Sequence, residues 1–120
     1  PEPAAAIAAA LQARDPARAL DLFAGYRGPN GAIPPRSLFA IAKSASDQGR
    51  HALAARALHA AGTGDDDAVA PNALLVLARV YERRLGRAAE ARQVLDYLLA
   101  RWPDSEAAGH ARASVAPPEG

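Results

Sequence analysis

Apolar residues recur at intervals of three and four along most of the chain, which is the pattern of one buried helix face. Leu74, Leu77, Ala78 and Tyr81 give a clear example. Segments rich in proline and glycine separate these stretches, and Asp15-Pro16 is typical of a helix start, since aspartate caps a helix and proline suits its first turn. The pattern predicts seven helices, near residues 3–13, 16–27, 35–47, 50–61, 71–84, 87–102 and 104–114.

The predicted helices fall into pairs, and the pairs repeat. The second helix of each pair carries a corresponding alanine, at Ala19, Ala54 and Ala91, so successive pairs are 35 and 37 residues apart. A single pair of helices cannot bury its own apolar face, so a repeat of this length predicts an array in which neighbouring pairs stack. A plain helical bundle is the alternative architecture.

The middle and third pairs carry the details of a known repeat. The middle pair reads Leu38-x2-Ile41-Ala42-x2-Ala45, Gly49, Ala54-x3-Leu58-x2-Ala61, and the third reads Leu74-x2-Leu77-Ala78-x2-Tyr81, Gly86, Ala91-x3-Leu95-x2-Leu98, Pro103. This pattern resembles the tetratricopeptide repeat family, whose unit is about 34 residues long. The third pair has one extra residue between Tyr81 and Gly86, and the first pair is degenerate, keeping Ala19-x3-Phe23.

The resemblance implies an all-α fold in which antiparallel helix pairs wind into a right-handed α-α superhelix. It places residues 1–120 in one domain with helix pairs near 3–27, 35–61 and 71–102. A capping helix at 104–114 and tails at 1–3 and 115–120 complete the expected arrangement. The capping helix is expected to turn Ala108 and Ala111 inward and its polar residues to water, as the end of such an array requires.

In proteins of this family the first helices of the pairs line a concave face that binds peptides. The corresponding residues away from the packing stripe are Arg36, Phe39, Lys43, Leu75, Arg79 and Arg83, and these are the candidate partner-binding residues. Apolar residues beside cations favour an acidic, amphipathic protein segment as the partner. The alternative interpretation is that Phe39 packs on the preceding pair and the cations only keep the surface soluble.

The sequence therefore predicts a scaffold module that binds another protein on its concave face and has no enzymatic activity. The alternative is a structural or oligomerisation domain, such as a homodimer, whose groove is filled by its own chain or by its parent protein. Nucleic-acid binding is not expected, because the net charge is +1 and Asp47, Glu82 and Glu90 interrupt any basic stripe.

Composition adds few sites for chemistry. The 120 residues include no cysteine, which excludes disulfides and thiolate metal sites. Asp65, Asp66 and Asp67 lack the alternating ligands and distant glutamate of a calcium loop. The three histidines lack metal-ligand spacing, and we find no phosphate loop or nucleophile elbow. No metal and no cofactor is therefore expected.

Nothing in the sequence identifies a compartment. The longest apolar stretch is shorter than the roughly 20 residues that a membrane span requires, so direct membrane insertion is not expected. We expect a soluble domain of the cytoplasm or periplasm, free or attached to a membrane protein. The many alanines and arginines, with Lys43 as the single lysine, fit a bacterial source. The ends, rich in proline, suggest a piece of a longer protein, with a complete processed protein as the alternative.

Overall fold

The computed structural model describes residues 2–115, and within them the chain is all-helical, without a β-strand. The helices are α1 (Pro3–Gln12), α2 (Pro16–Ala24), α3 (Pro35–Asp47), α4 (His51–Gly62), α5 (Ala70–Arg83), α6 (Ala88–Arg101) and α7 (Glu106–Val115), with a short 3-10 helix at Asn30–Ala32. All seven helices predicted from the sequence are confirmed.

Capping side chains mark the starts of two helices, α2 and α7. The Asp15 carboxylate accepts a hydrogen bond from the Arg18 backbone N–H at 3.1 Å, and Pro16 is the first residue of α2. The hydroxyl of Ser105 caps α7 in the same way by accepting the Ala108 N–H at 3.0 Å. Helix α7 therefore begins two residues later than the expected residue 104, because the capping residue is Ser105 and not Asp104.

Helix α2 ends at Ala24, three residues before the predicted end at residue 27. Tyr26 is nevertheless buried, because the chain folds back at Gly28-Pro29 and the Tyr26 hydroxyl donates to the Pro29 carbonyl at 2.6 Å. Tyr26 lies three residues after Phe23, which is the spacing of a helix face. It is nevertheless a loop residue that packs into the core. The long connection between α2 and α3 is held to the core in the same way by buried Ile33.

The turn between the two helices has the same geometry in all three pairs. Each turn contains a residue with positive φ, at Arg14 (58°), Gly49 (73°) and Gly86 (64°). The backbone N–H that follows donates to a carbonyl of the first helix: Asp15 to Ala10 at 2.9 Å, Arg50 to Ala45 at 2.8 Å, and Arg87 to Tyr81 at 2.7 Å. The third of these bonds closes a loop one residue longer, so the inserted residue is absorbed in the turn.

The corresponding alanines of the second helices are all buried. Ala19, Ala54 and Ala91 are at most 3% exposed, and each follows the positive-φ residue at the same distance along the chain. A side chain this small allows the two helices of a pair to approach closely. The repeat that was inferred from these alanines is therefore present as repeated local structure.

Stacking of the pairs makes α5 the central helix of the C-terminal half. Ala73, Leu77 and Val80 pack into a core cluster that extends from α1 to α5. Leu74, Leu75 and Ala78 face a second cluster, formed with α6 and α7. Helix α7 packs against both α5 and α6 through Ala107 and Ala111. The molecule is elongated, at 56 × 27 × 22 Å, as expected when the pairs stack mainly on their neighbours.

Candidate binding groove

A groove of about 310 Å³ opens between the second half of α5 and the first half of α6, and we call it the C-terminal groove. Its apolar floor consists of four side chains that are each less than a tenth exposed: Leu75, Ala78, Ala91 and Leu95. Ser114, in the last turn of α7, borders it at one side. The groove thus lies beside the last described turn of α7.

The rim of the C-terminal groove is mainly cationic. Arg79, Arg83 and Arg92 line it together with one acid, Glu82, and all four are exposed. Arg92 is paired with Asp96 of its own helix, Nε to Oδ1 at 3.5 Å. In residues 2–115, Arg79 and Arg83 have no carboxylate within 4.0 Å. Two exposed guanidinium groups, four residues apart on one helix face, are therefore available to an anionic ligand.

The structure brings three of the six predicted binding residues together. Leu75, Arg79 and Arg83 all line the C-terminal groove. Leu75 was expected to be an open apolar contact, but it is only 6% exposed because α7 covers that side of α5. It is therefore part of the floor and of the C-terminal core, and the rim beside it provides the accessible cations.

The other three predicted residues lie on α3, outside the C-terminal groove. Arg36 and Lys43 are exposed, whereas Phe39 is partly buried and packs against the N-terminal core cluster. The packing interpretation of Phe39 therefore describes its position better than an open aromatic contact does. The six predicted residues do not line one common pocket.

Sequence reasoning missed the contribution of the second helix of the pair. Ala88, Ala91, Arg92 and Leu95 of α6 line the C-terminal groove, whereas the family resemblance implies binding by the first helices of the pairs alone. Their spacing on one helix face was a detectable signal. From the sequence the same spacing predicts a packing stripe, and it does not show that these side chains also border a groove with α5.

Two of the three consecutive aspartates before α5 have partners in the structure. Asp65 pairs with Arg101 at 3.4 Å, and the Asp66 carboxylate accepts the Ala68 N–H at 2.9 Å, just before α5. Over residues 2–115, no three histidine or acidic side chains lie close enough to hold a metal ion. In the same range, no helix is both long and apolar enough to cross a membrane.

Two further concave surfaces have a different character. One, of about 220 Å³, is lined by the apolar side chains of Leu74, Leu77, Val94 and Tyr97. The other lining residues are His59, Thr63 and Gln93. Tyr97 is 42% exposed, the single large apolar side chain so exposed in the described part of the chain. The other surface, of about 410 Å³ on α1 and α2, is lined by five alanines together with Asp15 and Arg18. Of these three surfaces in the described part of the chain, the C-terminal groove is the one that combines four buried floor side chains with more than one cation on its rim.

Comparison with known proteins adds no assignment: no protein-family model, no curated protein and no solved structure matches this chain.

Proposed function

We propose that this chain is a protein-interaction module without catalytic activity, and that it binds a segment of another protein in the C-terminal groove. The observation that carries the proposal is the combination of a buried apolar floor with the unpaired cations Arg79 and Arg83 on its rim. Apolar contacts at the centre of an interface supply most of the affinity, while rim charges orient the partner and speed the encounter.

We also infer that the helix pairs wind as a right-handed superhelix of tetratricopeptide type. Three features support this inference: the turn geometry found in all three pairs, the buried alanine of each second helix, and the packing of α7 on both α5 and α6. Arrays of this kind present extended surfaces to ligands. Binding of a protein segment by this chain follows naturally from such an architecture.

Selection from an unbiased peptide display library tests the proposal without presupposing the chemistry of the ligand. Two exposed neighbouring alanines at the start of α6 provide matched variants, since Ala88 lines the C-terminal groove and Ala89 does not. Peptides selected on the parent protein should lose at least about tenfold in affinity for Ala88→Trp, which fills the groove. They should bind Ala89→Trp as they bind the parent.

Equal binding to both variants would place the interaction elsewhere on the molecule. The structural alternative makes a different prediction: the library would yield no binders, and sedimentation would give a mass well above the 12.4 kDa of one chain. A dimer that Ala88→Trp converts to a monomer would show that a second copy fills the groove.

A further inference from the structure

We infer that the C-terminal groove takes an acidic amphipathic α-helix of a partner protein, laid along α5 beside the end of α7. This inference rests on the proposed function and specifies the conformation and charge of the ligand. It follows from three features of the groove: the helices that form its walls, the small residues in its floor, and the spacing of its cations.

The walls favour a helix over an extended strand. Both walls are α-helices, α5 and α6, whose backbone amides and carbonyls already bond within each helix. An extended peptide pressed onto the apolar floor would find no sheet edge to pair with, and its buried backbone groups would lose water without gaining partners. A helix satisfies its own backbone, so it can enter the groove without that cost.

The floor matches the apolar stripe of a helix. Ala78 and Ala91 leave space between the larger side chains of Leu75 and Leu95. Leucine-sized residues at positions i, i+3 and i+4 of a partner helix can pack into such gaps. Helix α7 packs against α5 and α6 in a comparable way, because its Ala107 and Ala111 contact the C-terminal cluster.

The rim selects the charge of the ligand. Arg79 and Arg83 are separated by four residues, which is about 6 Å along a helix. Carboxylates four residues apart on a partner helix repeat this distance, so both can reach a guanidinium at once. Glu82 stands on the same rim and repels an acid, but the two unpaired cations outnumber it, with Arg92 paired to Asp96.

The test uses a fluorescent helical peptide of 14 residues, the length of α5. Its probe sequence places leucines at i, i+3 and i+4 and glutamates at four-residue spacing beside them. One control peptide has the same composition with glutamate and leucine alternating, the pattern of a strand. A second control replaces every glutamate with lysine.

Matched protein variants isolate the rim. Arg79→Glu with Arg83→Glu reverses the groove cations, and Arg36→Glu with Lys43→Glu makes the same change in net charge on α3, at exposed positions outside the groove. The helical acidic peptide should bind the parent and the α3 variant alike. It should bind the α5 variant at least about tenfold more weakly, while the lysine peptide gains affinity for that variant.

Affinity of the acidic helix for the parent should also fall as salt rises, because the cations are exposed. Equal binding of the alternating peptide would overturn the helical part of the inference, and equal weakening by the α3 variant would overturn its location. Neither result contradicts the proposed function if peptides selected from the library still distinguish Ala88→Trp from Ala89→Trp. Failure of that selection would instead contradict the proposed function itself.

Discussion

Arg56 is the side chain that joins the first two helix pairs most directly. Its guanidinium donates to the backbone carbonyls of Phe23, Ala24 and Tyr26 at 3.1, 3.4 and 2.8 Å, and it lies 4.3 Å from the centre of the Phe23 ring. Burial of the guanidinium, and secondarily the charge of Arg27, lowers the pKa of Arg56. A single residue of α4 thus adds charged donors to the carbonyls at the end of α2, where the Tyr26 N–H and the Arg27 guanidinium also donate.

Loss of this arginine should destabilise the fold. Arg56→Met keeps an apolar stem over Phe23 but removes three charge-assisted hydrogen bonds that join α4 to the end of α2, so the free energy of unfolding should fall by about 1–3 kcal/mol. Arg92→Met is the control, since Arg92 makes only an exposed ion pair within α6, and its effect should stay within about 0.5 kcal/mol. Urea unfolding curves measure both. Similar losses for the two variants would show that Arg56 has no special role.

The turn geometry found in all three pairs predicts opposite effects on stability for two substitutions. Arg14 has a φ of 58°, a left-handed conformation that is unfavourable for every residue except glycine. Arg14→Gly should therefore raise the free energy of unfolding by about 0.5–1 kcal/mol. Gly86→Ala, at a φ of 64°, should destabilise by about 1 kcal/mol. Gly31, which does not have a positive φ and has open space around it, supplies the control Gly31→Ala, with a change expected within about 0.5 kcal/mol. Thermal melts that rank the variants otherwise would contradict the turn geometry.

At the scale of single elements, the helices follow closely from the sequence. Breakers and capping residues such as Asp15-Pro16 act within a few positions of the chain, so their effect is visible without tertiary structure. The predicted end of α2 was wrong by three residues, because it depends on contacts that local sequence does not show. The chain turns back at Gly28-Pro29 after Tyr26, and Arg56, thirty residues further along the chain, donates to the Tyr26 carbonyl, a contact that helical periodicity does not show.

Within each pair, the register is tested by two alanines of the same helix. Ala54 is fully buried where α4 meets α3, whereas Ala52 is exposed. Ala54→Leu should lower the free energy of unfolding by about 1–3 kcal/mol through overpacking. Ala52→Leu should change it by less than about 0.5 kcal/mol. Chemical denaturation of the two variants is the measurement, and equal tolerance would contradict the assigned register.

At the scale of the whole molecule, the order of stacking could be anticipated from the repeat, but the site could not. The C-terminal groove is formed by side chains of α5, α6 and the last described turn of α7, and the spacing of Arg79 and Arg83 along α5 does not show which side chains of other helices lie beside them. For the same reason Leu75 was expected at the surface and lies in the core. The cations of the rim were found because the surface of a helix can be read from its periodicity alone.

Amide chemical shifts of the isotopically labelled protein, titrated with the tightest peptide from the display selection, test the central claim most directly. Binding in the C-terminal groove should shift the signals of residues 75–83 of α5, 88–95 of α6 and the end of α7, because these residues line it. The signals of α3 should stay nearly unchanged. Shifts centred on Arg36, Phe39 and Lys43, with α5 and α6 undisturbed, would contradict the assignment of the groove as the binding surface.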